Sequence, residues 1–508
     1  MFNFIDNKQP NYFLSTLQDL KGNNDSFENL LSLLKLDNLT KSELKQFKNN
    51  LLEYLKELKD DIKVIVENRY VDKVYRDSFY NYFSTKNSEY NRYCLRMSFF
   101  KNSFDFNASL FEESNIKDNY LGFLIIRPLI KCIGRNVLNP IAKKDPFDNI
   151  DICYVEIPTS CMGFKLKAKG FPHASQDSET MTCAQTTIWS LMEYFGNKYP
   201  EYSPVSPSEI KEILEPVYYK RQLPAAGLSI SQISMTLKKL GFGCEVDLNP
   251  SKYQEVFYER IACYIESGIP LAVGLGVANV GEGHEVVCLG HEYLPKDRVF
   301  QHPFSIGGKT IYSWNKAVAK TRFVFNDDNF PCYQLSFLDN PTHYLSGNNY
   351  KIDFKITDME VPLYSKIYMD AKTAIDITYL VIKDYLDFKE EIVVKTYLTS
   401  SRSYRNYIVS ESDLDEKGKL IFLRIPLPKF IWVTEISSPR QFMDDQLHSL
   451  IILDATSTKK SILTDMIIFM ESIGTIYEYF ADTKSVEGGY KLLPEYFKAF
   501  NGNLKNFS

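Results

Sequence analysis

Apolar positions change their spacing several times along this chain, and each change predicts a different kind of element. From Ser26 to Ile62, "SFENLLSLLKLDNLTKSELKQFKNNLLEYLKELKDDI", leucines recur every three or four residues, the repeat of a helix with one face on a core. Thr40–Lys41–Ser42–Glu43 has the capping-box order, a hydroxyl followed three residues later by a carboxylate, so a helix is expected to start there. The first sixty residues therefore read as helical, built on two amphipathic helices. Short runs rich in β-branched and aromatic residues follow: "RYCLRMSFF", "YLGFLIIRPL" and "DICYVEIP" predict strands. "CIGRNVLNPIAKKDPFDN" (Cys132 to Asn149), with its glycine and prolines, predicts a link between two of them.

From about Asp151 the order becomes helices first, then strands. A helix near Cys183 to Phe195 is expected to close at Gly196, and a second spans "SISQISMTLKKLG" (Ser229 to Gly241). A third, in "YQEVFYERIACYIESG", leads into "IPLAVGLGV", "HEVVCLGHEYL" and "TRFVFND", all strand-like. That order is α+β. Beyond Asn340, "EIVVKTYLT", "LIFLRIPLP", "FIWVTEIS" and "SLIILDAT" are strand candidates, and "MIIFMESIGTIYEYF" predicts a hairpin turning at Gly474. Three regions are expected: 1–150, helical then β; 151–339, an α+β domain; and 340–508, a second α+β domain.

Composition narrows the classes. A chain of 508 residues is too long for one core and suits about three. With 59 basic against 64 acidic side chains, no strong field argues for nucleic acid or an anionic membrane as partner. "KLKAK" (Lys165 to Lys169) reads as a solvated strand face. The N-terminus has no basic segment followed by an apolar one, and no apolar run reaches the roughly 18 residues of a membrane helix. Nine cysteines, an odd number with no CxxC pair, fit free thiols, so the cytoplasm is the expected compartment.

Candidate chemistry centres on "SQDSETMTCAQTTIWSLMEYFG" (Ser175 to Gly196). Thr182 is an acceptable N-cap, which puts Cys183 on the first helical position, where unpaired N–H groups and the helix dipole favour a thiolate. On this stretch alone the cysteine also fits a small buried hydrophobe, as free cysteines often are. Of six histidines, His284 stands at the entry of an apolar strand behind the glycine-containing "VGEG", a position both rigid and open to a cleft. "TRFVFNDDNF" ends a neighbouring strand in Asp327 and Asp328, where a carboxylate can orient an imidazole or simply form a turn. A zinc set of His284, Cys288 and His291 fails because strand alternation turns His291 to the opposite face. No metal and no cofactor are expected.

The ordered set "TCAQTTIW", "GLSISQISMTLKKLGF", "GIPLAVGL" and "GHEVVCLGH" resembles papain-like cysteine peptidases, in particular their bacterial C39-like branch, over roughly residues 170 to 335. The resemblance implies a papain-like core in which a helix bearing the nucleophile packs on an antiparallel sheet bearing the base and its orienter. It implies Cys183 as nucleophile, His284 as base and acid, Asp327 as orienter, and Gln176, seven residues before Cys183, as a second oxyanion donor. The 43 residues between His284 and Asp327 exceed the family's usual spacing, so "FSIGGKTIYSW" is expected to be an inserted hairpin or helix. "CAQ" stands where many members have a "CGP"-like sequence. A peptide or protein substrate follows from the resemblance. The same residues would suit an acyl or amide transferase, and the long flanks, expected to bind a partner or gate access, would suit an inactive scaffold.

Overall fold

The computed structural model describes residues 11–507 apart from 106–112, 145–148, 178, 219–221, 223–226, 250–251, 278–279, 343, 345–353, 385, 387, 389–390, 459–465, 473–474, 481–482 and 486–496. Helices and largely antiparallel sheets mix along the chain, an α+β architecture. The first sheet has seven strands in the order Tyr12–Thr16, Lys63–Tyr70, Cys94–Phe100, Tyr120–Ile126, Ile133–Leu138, Phe164–His173 and Val155–Cys161. Two expected helices, Asn24–Ser32 and Lys41–Lys56, are present, with Phe27, Leu30, Phe47, Leu51, Tyr54 and Leu55 buried. Thr40 and Glu43 close the capping box, Oγ1 accepting from the Glu43 N–H at 3.3 Å and Oε2 from the Thr40 N–H at 2.8 Å.

Two expectations for this region are corrected. Tyr12–Thr16, within the stretch read as helical, is an edge strand that pairs antiparallel with Lys63–Glu67. The Cys132–Asn149 link contains a central strand, Ile133–Leu138. Its Gly134 is no breaker, because an added Cβ would meet the Arg127 side chain and the Ile125 carbonyl, so close strand packing requires the glycine.

The middle sheet runs Gln334–Phe337, Arg322–Asn326, Val280–Glu292, Leu271–Val277, Lys355–Val361 and Glu245–Leu248. Ile150–Ile152 pairs with the end of Val280–Glu292 and with Lys505–Phe507. The third sheet joins Pro303–Ile306 and Lys309–Ser313 to Ile392–Ser400, Phe430–Ser437, Ser449–Asp454, Ile467–Ser472, Thr475–Phe480 and Thr483–Ser485. The segment between His284 and Asp327 is thus the expected inserted hairpin, with Gly307 and Gly308 in its turn at φ 57° and 80°. Its second strand lies parallel to Ile392–Ser400.

Strand pairing therefore crosses the regions expected from sequence. Residues 155–173 complete the first sheet, and Lys355–Val361 belongs to the middle one. One cluster of buried side chains runs from Leu17 to Phe507, with a smaller one around Tyr397, Tyr404 and Phe500. "LIFLRIPLP" is not a strand: Glu416–Arg424 is a helix that buries Phe422 while Leu420 and Leu423 stay exposed. The expected C-terminal hairpin is present as Ile467–Ser472 paired with Thr475–Phe480, and Gly474 lies outside the described residues. Among the described residues, no helix is long and apolar enough to cross a membrane.

Candidate active site

Cys183 is the first residue of the helix Cys183–Lys198, as its threonine N-cap implied. Gln185 Oε1 accepts from the Thr182 N–H at 2.8 Å, and Thr186 Oγ1 donates to the Thr182 carbonyl at 2.9 Å, so the helix start is fixed on both sides. Every residue from Ala184 to Phe195 is buried, which makes this a core helix partly exposed only at its two ends. The helix does not stop at Gly196. That glycine lies inside it because a Cβ would run into the backbone of Ser203 and Pro204 crossing over it. All nine cysteines are free, and Cys183 and Cys244 alone are partly exposed. Burial raises the thiols of the other eight, Cys132 and Cys153 to about 12.

His284 enters the strand Val280–Glu292 opposite Leu275. The next strand, Arg322–Asn326, sets Asn326 opposite Val287, and the chain leaves it at Asp327 toward the histidine. His284 Nε2 donates to Asp327 Oδ1 at 2.8 Å. That oxygen also accepts the Asn329 N–H at 2.9 Å, while Oδ2 accepts the Tyr344 hydroxyl at 2.8 Å. Burial alone would raise the Asp327 carboxyl, but His284 and these donors hold it below its ordinary value. Burial likewise opposes a charged imidazole. The Asp327 carboxylate, a hydrogen bond donated to the Cys183 side chain and the charge of Asp328 outweigh it and hold His284 well above its usual range. The imidazole is thus hydrogen-bonded to both the Asp327 carboxylate and the Cys183 side chain. The three predicted residues therefore meet at one place.

A supporting shell escaped the sequence reading. His173, at the end of Phe164–His173, is buried, and its Nε2 lies 3.2 Å from the Asp327 carbonyl. Its Nδ1 accepts from Asn136 Nδ2 at 3.1 Å, so Nε2 carries the proton and donates to that carbonyl. Burial lowers this imidazole to about 4, keeping it neutral. Tyr54, on the N-terminal helix Lys41–Lys56, donates to Asn136 Oδ1 at 2.9 Å. A chain of hydrogen bonds thus runs from the N-terminal helices to the backbone of Asp327. Glu193, wholly buried on the helix Cys183–Lys198, is tied to the same region by Lys73 at 2.7 Å and Arg135 at 3.4 Å.

Gln176 comes to the site by way of Asn329: its Nε2 donates to Asn329 Oδ1 at 2.8 Å. Asp328 is buried, 3.8 Å from His284 Nε2, and neither of its oxygens has a hydrogen-bond partner. Burial, reinforced by Asp327, pushes this carboxyl up to about 7. His284, Asp327 and Asp328 bring three possible metal-ligand atoms within 4.8 Å of one another. His291 has no part in such a set. It is buried against Glu266, Nε2 to Oε1 at 2.8 Å, with Nδ1 on the Glu292 carbonyl. In the C-terminal region, Trp432 and Asp454 have structural roles. Trp432 is buried with Nε1 on the Met369 carbonyl at 3.0 Å, and Asp454 caps a turn at Thr456. Compared with known proteins, the chain matches no family model, and no curated protein matches its sequence.

Proposed function

We propose that this protein is a cysteine hydrolase with a papain-like catalytic core, acting on a peptide, isopeptide or related amide bond. The observation that carries the reading is His284 hydrogen-bonded to two groups, with Nε2 on the buried Asp327 carboxylate at 2.8 Å and the Cys183 side chain as its other partner. A histidine so placed takes the thiol proton and keeps it as an imidazolium. The thiolate attacks the carbonyl carbon, and the oxygen of the tetrahedral adduct is met by the N–H of Cys183 at the helix start. His284 then protonates the departing amine, leaving a thioester on Cys183. Neutral His284 next deprotonates a water, which displaces the sulfur and releases the acid.

Gln176 supports the oxyanion in this reading once its amide leaves Asn329 for the bound substrate. Acyl trapping tests the reading. An activated peptidyl ester should add its acyl group to the full-length protein, and hydroxylamine should remove it. The Cys183→Ala protein should take up none.

A further inference from the structure

Against the third sheet lies a cavity of about 330 Å3, lined by none of Cys183, His284 and Asp327. Small-molecule sites have volumes of roughly 300–1,000 Å3. The floor is one face of the sheet. Lys395 on the strand Ile392–Ser400 stands directly opposite Glu435 on Phe430–Ser437, and Tyr397 lies two residues along on the same face. One wall is aromatic. Trp314, which opens the helix Trp314–Val318, meets Phe442 of the helix Pro439–Met443 with ring centroids 5.8 Å apart. Glu266, the last residue of the helix Gln254–Glu266, and Asp151 also line the space.

Most of the charge here is already matched. Glu266 Oε1 is 2.8 Å from His291 Nε2, and Lys395 Nζ lies 3.3 Å from Oε2. Burial would raise this carboxyl, but Lys395 and His291 hold it down at about 2. Asp151 Oδ1 accepts the Asn506 amide at 3.0 Å, and Lys296 pairs with Asp445 at 2.7 Å. Glu435 differs. Both of its donors, the Tyr397 hydroxyl at 2.9 Å and the Phe500 N–H at 2.8 Å, go to Oε1. Among the described residues Oε2 has no hydrogen-bond partner, and the residue is only 4% exposed, so that oxygen is left to the cavity Glu435 lines. Three carboxylates, Asp151, Glu266 and Glu435, stand against two cations, Lys395 and His291, which leaves one negative charge over. A buried carboxylate oxygen without a donor is costly, and a cation placed on it removes that cost. Aromatic faces beside it suit an ammonium on an apolar body.

We propose that this cavity is a binding site for a small primary amine, with the ammonium on Glu435 Oε2 and the apolar body along Trp314 and Phe442. The amine supplies the missing donor and the missing positive charge together, which a neutral hydroxyl or amide does not. The site is separate from Cys183 and stands whether or not the protein is a hydrolase.

Calorimetric titration of the full-length protein tests this with two probes, 2-phenylethylamine and 2-phenylethanol, which carries a hydroxyl in place of the amine. The pH is set above the Glu435 titration at about 7. In the wild type the amine should bind at least about tenfold more tightly than the alcohol, a difference of roughly 1.4 kcal/mol. Glu435→Gln keeps an acceptor for Tyr397 and Phe500 but loses the charge, and should bring the two affinities together. Amine binding should also change the emission of Trp314. Trp314→Phe should keep the affinity and lose that change, and Cys183→Ala should bind the amine as the wild type does. Equal affinity for amine and alcohol in the wild type, or an amine preference that survives Glu435→Gln, overturns the site. An emission change that persists in Trp314→Phe, or weaker amine binding in Cys183→Ala, places the amine elsewhere and overturns it as well. The wild-type comparison and the Trp314→Phe protein decide the matter even where Glu435→Gln does not fold.

Discussion

His284 is the residue whose chemistry is most strongly set by its neighbours. Asp327, Cys183 and Asp328 all favour its charged form, against the effect of burial. An imidazole raised in this way stays protonated through neutrality and loses its proton only well above the ordinary value near 6.5. Removing the carboxylate charge removes the largest stabiliser of the imidazolium, so Asp327→Asn should lower the titration of His284 by about one unit or more. Nuclear magnetic resonance of the protein with 15N-labelled imidazoles reads this directly. The same spectra should show His173 neutral down to about pH 4. A His284 that titrates near 6.5 in both proteins would mean that Asp327 does not set its charge.

Cys183, His284 and Asp327 could be read from the sequence because each sits at the end of an element whose local pattern is plain. A threonine cap precedes the first, an apolar strand follows the second, and a strand ends before the third. His173, Asn136 and Tyr344 carry no such mark. His173 meets Asp327 across 154 residues of sequence, and Asn136 meets His173 across 37. Asp328 lies next to Asp327 in sequence, yet only the fold shows that both of its oxygens are buried without a partner.

Among the elements, the first sheet and the N-terminal helices bear on the site through one chain of hydrogen bonds. Tyr54→Phe removes the donor to Asn136 Oδ1 and leaves that buried oxygen unpaired. The expected cost is about 1–3 kcal/mol of stability, read in chemical denaturation, together with slower acylation of Cys183. Unchanged stability and acylation would show that the N-terminal helices merely lie beside the core. The strand Ile133–Leu138 that holds Asn136 was hidden in the sequence by its glycine and by the prolines after it. Turn chemistry and close strand packing both select glycine, and a single sequence does not separate them. "LIFLRIPLP" misled for a related reason: a short apolar run fits a strand, but with Phe422 buried and Leu420 and Leu423 exposed it suits a one-sided helix.

Across the whole molecule, the three sheets interlock, and the boundaries suggested near residues 150 and 339 fall where strands pair across them. Composition shifts mark where the pattern of elements changes, and sheet pairing does not follow those shifts. The third sheet has its own buried acid, Glu435, whose Oε1 accepts from the Tyr397 hydroxyl at 2.9 Å and the Phe500 N–H at 2.8 Å. Burial raises this carboxyl to about 7, although Lys395 and those donors oppose it. Unfolded, it ionises near 4.5; folded, it holds its proton to about 7. Its protonated form therefore favours the folded state, and that contribution is lost as pH rises from about 4.5 to 7. Glu435→Gln should flatten the fall in stability between pH 5 and 8 by on the order of 3 kcal/mol, followed by denaturation at both pH values. An identical pH dependence in variant and wild type would place the folded-state titration of Glu435 at its ordinary value.

The central claim is a thiol nucleophile served by one histidine. Intact-mass spectrometry of the full-length protein after reaction with an activated peptidyl ester tests it most directly. The wild type should gain a single acyl group at Cys183 that hydroxylamine removes. Cys183→Ala should gain none, and His284→Ala should acylate at least about a hundredfold more slowly. Equal acylation of Cys183→Ala, or a rate in His284→Ala that matches the wild type, would contradict it.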